Sequence, residues 1–369
     1  MSKELKLLYI EDDKTNREDL VNFLSGEALC GYSIKIDSIE TFDNAIEKIT
    51  SNHYHIIVLD IYKGKPDDNG EQAGLDVLRQ IQEKCFVPVI FYSGSTKNVQ
   101  ELRSQVVGVV TKGDDGIDGL KQEIERLIKF NLPFLKENIH SYLDKEFIKY
   151  FWNIIHDKRT KFTADKNDFS LGYLMLRKFG NSLSKEKISE ILGDDTLRKD
   201  KVHPMGFYIY PTDFDTEFEN GEILQKDNEI YVILTPSCDF IERFDKKTKK
   251  KIRKVGKVLL VKTFLLLETD EYKEYAKNKN EDGKNKLIKL INSSKSDRYF
   301  FLPQTPFIEN RVIDFQIKEI VDYDNLKDFT RLAKLDNPFA ESMISSFIRY
   351  YNRIGFPDID ADLIIKSLS

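Results

Sequence analysis

Five side chains in the first third of the sequence could act together in one chemical site. Each stands at the end of a short apolar run: Glu11, Asp12, Asp60, Ser93 and Lys112. Three converging carboxylates would repel one another unless a divalent cation lay among them, and Mg²⁺ prefers such oxygen ligands. A metal-bound carboxylate that faces a lysine and a hydroxyl suits phosphoryl transfer, because that chemistry depends mainly on positioning and charge neutralisation.

The apolar runs that precede these residues predict the strands of a parallel sheet. Residues 33–37, with alternating apolar and polar side chains, predict one strand nearer an edge. Helical spacing of apolar residues between the runs then predicts a five-stranded, doubly wound α/β domain of flavodoxin-like type that ends near Phe130. Four runs are nearly continuous in apolar residues, as strands buried on both faces require: residues 5–10, 56–59, 87–92 and 106–110.

The short motifs around these strand ends resemble those of a known family. Ligands of such sheets bind outside the carboxyl ends of the strands, and LLYIEDD, VLDIY, FYSGS and TK stand there in order. Over about residues 4–130 the sequence resembles the receiver domain of bacterial two-component response regulators. A flavodoxin-like domain with chance carboxylates is the alternative, and it would leave the pairing of Ser93 with Lys112 unexplained.

The resemblance implies a role for each matching residue. Asp60 would accept a phosphoryl group from the phosphohistidine of a histidine kinase, and Ser93 and Lys112 would contact the phosphoryl oxygens. Asp13 would start the following loop. Mg²⁺ would be held by Glu11, Asp12, Asp60 and the main-chain carbonyl of Tyr62.

The sequence departs from the family pattern at three places. Gly113 follows Lys112 where the family often has proline, so the loop is less fixed. Val109 stands where an aromatic switch residue is common. Residues 63–73, KGKPDDNGEQA, form a longer loop than usual, which we interpret as a solvated surface insertion, with a partner-recognition or lid loop as the alternative.

The remaining two thirds of the chain resemble no module. Residues 131–200 predict a helical segment. The helical pattern pauses at residues 131–133, where Pro133 marks a domain boundary or a kink, and resumes around Glu137–Ile155. Residues 201–369 predict a β-rich α+β output domain built on a small barrel or curled antiparallel sheet. A closing helix is predicted over residues 340–354. Its apolar stripe is expected to face the core, with a partner or homodimer face as the alternative. The stripe consists of Met343, Ile344, Phe347, Ile348 and Tyr351.

Two further features have an ordinary and a functional interpretation. The basic run at residues 246–254, KKTKKKIRK, is expected to be a charged hairpin loop, although it could also hold phosphates. Cys238, in the sequence PSCD, could be a nucleophile. Because no histidine stands in a recognised arrangement with it, we expect a buried thiol at a strand end.

The composition indicates the cellular compartment of the protein and limits the classes of partner that it could bind. Residues 1–130 carry 16 Lys and Arg against 23 Asp and Glu, so this acidic part is unsuited to nucleic acid, whereas the rest is nearly balanced at 41 against 39. No apolar run approaches the roughly 18 residues that span a bilayer. Three widely spaced cysteines indicate reduced thiols. The three cysteines are Cys30, Cys85 and Cys238. Together these features predict a cytoplasmic protein without a membrane partner.

The sequence leaves three functions open for the C-terminal part of the chain. A signalling protein, in which phosphorylation controls a protein-binding C-terminal domain, is favoured because no Gly-rich phosphate loop or metal-ligand cluster is visible there. A receiver-controlled effector enzyme is the alternative, and a DNA-binding regulator is weaker because no terminal helix-turn-helix is recognisable. By analogy at the level of fold, such chains resemble regulators that accompany kinases in bacterial stress and antiphage operons.

Overall fold

The structure, a computed structural model, divides into two compact units, Met1–Leu197 and Arg198–Ser369. No helix among the described residues is long and apolar enough to cross a membrane. The described residues are 3–64, 72–113, 115–156, 169–193, 201–212, 215–245, 249–353 and 359–368.

The first unit is built on a sheet with the order β2-β3-β1-β4-β5-β6, in which every pair except β2–β3 is parallel. Helices cover both faces of this sheet, and the apolar side chains between the sheet and the helices form two separate cores. The strands are β1 Lys3–Ile10, β2 Ala28–Leu29, β3 Tyr32–Ile39, β4 Ile56–Leu59, β5 Val89–Ser93 and β6 Val107–Thr111. The helices are α1 Lys14–Leu24, α2 Ala45–Ser51, α3 Ala73–Lys84 and α4 Gly116–Lys129, with a 3₁₀ turn at Lys97–Leu102.

The parallel sheet confirms the predicted α/β architecture, but the strand count of five was wrong. A sixth, two-residue strand, β2, pairs antiparallel with β3 at the sheet edge. Cys30 and Gly31 have φ angles of 49° and 82°, the left-handed geometry that lets a tight hairpin form. Two residues are too short to show an alternation in the sequence, so this edge strand gave no signal.

A helical segment follows α4 within the first unit. Asn131 adopts a left-handed φ of 54°, and α5 starts at once with a proline in its first turn. The expected pause near Pro133 is therefore a single break between two helices. The Ser184 hydroxyl caps α7 by accepting the Lys187 N–H. The elements are α5 Leu132–Tyr150, a π-helical turn Phe151–His156, α6 Phe169–Gly180 and α7 Lys185–Leu192.

The second unit contains a seven-stranded sheet with the order β13-β14-β12-β9-β8-β15-β7, in which all pairs are antiparallel. A separate two-stranded ribbon joins β10 to β11. The strands are β7 Tyr208–Ile209, β8 Glu222–Lys226, β9 Glu229–Ile233, β10 Arg243–Asp245, β11 Lys250–Ile252, β12 Lys257–Leu265, β13 Tyr299–Leu302, β14 Arg311–Asp322 and β15 Thr330–Leu335. The helices are α8 Ser237–Phe240, α9 Asp270–Asn278, α10 Glu281–Ile291, α11 Phe339–Tyr351 and α12 Ala361–Ser367.

This second sheet curls so that its two end strands approach each other. The hydroxyl of Tyr208, on β7, donates to the carbonyl of Pro303 at 2.8 Å, and Pro303 directly follows β13. The ring of Phe307 lies edge-on to Tyr208 at 5.5 Å. No backbone ladder joins β7 to β13 in the described strands. The expectation of a small barrel is therefore met only in part, as a curled open sheet.

The predicted closing helix forms as α11, and its apolar stripe lies only partly in the core. Met343 is fully buried, whereas Ile348 is 56% and Tyr351 49% exposed. The buried side of the helix instead includes Ser346 and Tyr350. The interpretation of the whole stripe as core was wrong, because the curled sheet covers one side of α11 and that side was not evident from apolar spacing.

We expect one buried ion pair of the second unit to decide its stability. The guanidinium of Arg331 donates two hydrogen bonds of 2.7 Å to the carboxylate of Glu222, and both side chains are buried. Arg331→Met would leave the carboxylate without its charged partner and should lower the free energy of unfolding by about 3–5 kcal/mol. The double variant Glu222→Leu with Arg331→Met should recover much of that loss in denaturant unfolding. A double variant as unstable as Arg331→Met would contradict this account.

Candidate functional site

The structure brings the predicted site residues together at one edge of the first sheet. Strands β1, β4, β5 and β6 are neighbours and parallel, so their carboxyl ends meet at the same edge. The candidate residues lie at those ends or directly after them: Glu11, Asp12, Asp60, Ser93 and Lys112.

Asp60 lies at the centre of this group, and its side chain is held by four donors. Its Oδ1 accepts from the Ser93 hydroxyl at 2.5 Å and from the backbone N–H groups of Ile61 and Tyr62 at 2.6 and 3.3 Å. Its Oδ2 faces the ammonium of Lys112 at 2.5 Å. The residue is 7% exposed, so the carboxylate is fixed in orientation yet still reachable from the surface.

Lys112 also contacts Glu11, so one ammonium group bridges two carboxylates. Burial alone would lower the pKa of Lys112, but the carboxylates of Asp60 and Glu11 outweigh it, and the pKa is raised. The lysine is therefore charged at neutral pH. For Glu11, which is 1% exposed, burial raises the pKa while Lys112 opposes that rise.

Tyr9 is a member of the site that the sequence did not single out. Its hydroxyl donates to Glu11 Oε2 at 2.6 Å, and the side chain is fully buried. Burial and the Glu11 charge raise the pKa of Tyr9 far above its ordinary value, so the phenol stays a donor. The signal was present in the spacing, since residues two apart on a strand point to the same side.

Asp12 and Asp13 have separate roles although they are adjacent. Asp12 Oδ2 accepts the backbone N–H of Gly64 at 2.6 Å, which ties it to the loop after β4. Asp13 caps α1 by accepting the N–H of Asn16 at 2.8 Å, as expected of a residue that starts the following segment. Of the long loop predicted at residues 63–73, positions 65–71 lie outside the described residues.

The donor set is suited to a hard divalent cation. Glu11, Asp12 and Asp60 offer only carboxylate oxygens, and the ammonium of Lys112 already shows that two of them face a common point. Oxygen ligands of this kind are those that Mg²⁺ takes. The backbone of Tyr62, the fourth predicted ligand, lies beside Asp60 through the hydrogen bond given above.

The loop that directly follows β5 is joined to β6 by hydroxyl groups. The Thr96 and Thr111 hydroxyls are 2.8 Å apart, and Thr111 directly precedes Lys112. Val109 is 6% exposed and packs in the same core as Val99 and Phe91. The loop that carries Ser93 is thus linked to Lys112 by polar contacts, while Val109 belongs to the packed interior.

Cys238 and the basic run at residues 246–254 belong to the second unit rather than to this sheet edge, and the structure differs from the sequence expectation for each. Cys238 was expected to be buried, but it is exposed on the single helical turn α8, with its thiol 3.6 Å from the Asp239 carboxylate. The buried residue of that turn is Phe240. The basic run was expected to be a charged hairpin loop, but its residues Lys250–Ile252 form strand β11, which pairs antiparallel with β10. Residues 246–248 of the run lie outside the described residues.

A cluster of His53, His55 and Glu137 has side chains of the types that bind metals, with ligand atoms within 4.8 Å of one another. The Lys6 N–H donates to Nδ1 of His55 at 2.8 Å, so the neutral ring carries its proton on Nε2. That nitrogen faces Glu137 at 3.6 Å. Burial lowers the pKa of His55 and keeps the ring neutral. A protonated Nε2 has no lone pair for a metal, so the cluster is a packing contact of α5.

No family model matches this chain, and no curated protein does. Response regulator TrrA of Thermotoga maritima, in complex with Mg²⁺-BeF, is 25% identical with a TM-score of 0.27, covering 33% of this chain and 98% of that one. A Francisella response regulator 1452 receiver domain is 25% identical with a TM-score of 0.28, covering 34% and 98%.

A third solved structure contains the histidine kinase ThkA in complex with TrrA; the match is 25% identical, has a TM-score of 0.27 and covers 33% of this chain and 97% of that one. These neighbours are response regulators or their receiver domains, and each match covers about a third of this chain.

The close approach of α3 to Asp60 gives a test of the site geometry. A Cβ on Gly74 would lie 2.1 Å from the backbone oxygen of Asp60. Gly74→Ala must therefore push the Asp60 backbone or α3 aside, and it should lower both stability and the reactivity of Asp60 towards a small phosphodonor. Gly172→Ala, in a helix with open space around it, is the control and should leave both unchanged or slightly raise stability. Equal behaviour of the two variants would contradict the contact.

Proposed function

We propose that this protein is a two-component response regulator in which Asp60 takes a phosphoryl group from the phosphohistidine of a histidine kinase. The observation that carries the proposal is the arrangement around Asp60. A nearly buried carboxylate faces a charged lysine and a hydroxyl, and the same lysine also contacts Glu11. Asp12 accepts a hydrogen bond from the loop that follows Asp60. This is the set that phosphoryl transfer to a carboxylate needs.

The hydrogen bonds favour Oδ2 of Asp60 as the attacking atom. Oδ1 already accepts from Ser93 and two backbone N–H groups, whereas Oδ2 has only Lys112. In the transfer, a bond forms between Oδ2 and phosphorus while the bond from phosphorus to the histidine nitrogen breaks, and that nitrogen keeps the electron pair. Lys112 then neutralises charge on the phosphoryl oxygens, and the Ser93 hydroxyl turns from Oδ1 to donate to one of them.

Glu11, Asp12, Asp60 and the carbonyl of Tyr62 would hold Mg²⁺ in this proposal. The bound ion would supply charge neutralisation among the carboxylates. Tyr9 keeps Glu11 oriented by its hydrogen bond. Lys112 contacts Glu11 and Asp60 together, so it would release Glu11 when the phosphoryl group arrives.

The second unit would serve as the output. We infer that the phosphorylation state controls binding of a protein partner by residues 201–369, and that a histidine kinase is the upstream partner. A role in a stress or antiphage operon stays a prediction that gene neighbourhood would test. The division into residues 1–130, 131–200 and 201–369 likewise remains part of the proposal.

The experiment is phosphorylation of the full chain by a small phosphodonor such as acetyl phosphate. Asp60→Asn should abolish labelling, and so should chelation of divalent metal. Asp13→Asn removes a neighbouring carboxylate in the same way but keeps a good helix cap, so it should retain labelling and is the matched control. Acid-stable labelling that persists in Asp60→Asn would sink the proposal, because an acyl phosphate is labile and requires this carboxylate.

A second experiment tests how phosphorylation is transmitted. Valine is stiff at χ1 and Val109 is packed in the core, so it cannot swing as an aromatic switch would. We expect Ser93→Ala to abolish the change in hydrogen exchange that beryllofluoride, a phosphoryl mimic, causes in residues 93–102. Val109→Ala should keep this change while losing about 2 kcal/mol of stability. The reverse outcome, with Val109→Ala insensitive at unchanged stability, would show that the signal passes through β6.

A further inference from the structure

The β10–β11 ribbon concentrates positive charge in a chain whose overall charge is negative. The chain carries a formal charge of −5, yet five of the six residues from 249 to 254 are Lys or Arg. The ribbon is a sheet of its own, separate from the seven-stranded sheet. Whole-chain composition therefore conceals a local cationic surface, which is the electrostatic footprint of a polyanion partner.

The base of the ribbon is anchored, so its cations are presented on a fixed element. Arg253 donates to the Phe240 carbonyl at 2.8 Å and to both oxygens of Glu217 at 2.8 Å. Its guanidinium also lies 4.2 Å from the centre of the Tyr323 ring. Arg253 thus has a structural role. It forms ion pairs with the nearby carboxylates, including that of Glu242 at 3.6 Å.

Three other cations of the ribbon are left for a partner. Lys249, Lys251 and Lys254 are exposed, and the described part of the chain places no carboxylate within ion-pairing distance of them. Phe244 is 65% exposed and stands directly opposite Lys251 in the strand register. Directly opposite residues share one face of a ribbon, so the side chains of Phe244 and Lys251 project from the same face.

We propose that the ribbon binds nucleic acid without sequence specificity, with the three lysines on phosphates and Phe244 stacked on an unpaired base. An exposed aromatic beside cations is the arrangement by which proteins hold single strands. A lipid surface is disfavoured because the apolar residues lie on opposite faces, with Phe244 on one and Ile252 on the other, and membrane insertion needs a single apolar face. The proposal is independent of the Asp60 site.

Fluorescence anisotropy of the full chain with labelled DNA of about 30 nucleotides, single-stranded and duplex, tests this inference. Lys249→Gln, Lys251→Gln and Lys254→Gln combined should weaken binding of single-stranded DNA and reduce the slope of log K against log salt by about 2. Phe244→Ala should weaken single-stranded binding about tenfold and leave duplex binding nearly unchanged.

The matched control removes three exposed lysines from the helical hairpin α9–α10: Lys273→Gln, Lys277→Gln and Lys289→Gln. It changes net charge equally and should leave binding and slope unaltered. The inference is overturned if the control loses as much affinity, or if neither DNA binds at about 50 mM salt. It is also overturned if polyglutamate or phosphatidylserine vesicles bind as tightly as the single strand.

Discussion

Two buried carboxylates at the edge of the first sheet depend on one cation. Glu11 and Asp60 both face the ammonium of Lys112, and this shared cation offsets part of the cost of burying two carboxylates close together. Lys112 comes from β6 and the carboxylates from β1 and β4, so the interaction exists only when the sheet order is formed. In the proposed function, the same ammonium would neutralise charge on a bound phosphoryl group.

The surrounding contacts restrict how that site can move. Asp60 is held on one oxygen by Ser93 and two backbone amides, and Gly74 lets α3 approach its carbonyl. Only the second oxygen, paired with Lys112, can exchange partners without breaking a backbone contact. A bound phosphoryl group would therefore act on Ser93 and Lys112, whose loops are joined by the Thr96–Thr111 hydroxyl contact, rather than on the packed Val109.

The second unit differs from the first in where the charges discussed above lie. The buried carboxylate of Glu222 is paired with Arg331 within the protein. Lys249, Lys251 and Lys254, in contrast, are exposed on or beside the β10–β11 ribbon. The first unit thus has paired charges buried at a sheet edge, whereas the second also presents a group of exposed cations.

The sequence by itself determined the α/β order of the first domain and each residue at its strand ends, because buried parallel strands need apolar runs that are readable one by one. It also identified the basic run at residues 246–254, but the pairing of β11 with β10 was seen only in the structure. Only the tertiary structure decided which side of α11 is buried, that Cys238 is exposed, and that Tyr9 supports Glu11. These depend on which distant surfaces meet, and in the second unit the curl of an antiparallel sheet is set by pairings such as Tyr208 with Pro303, which leave no local pattern.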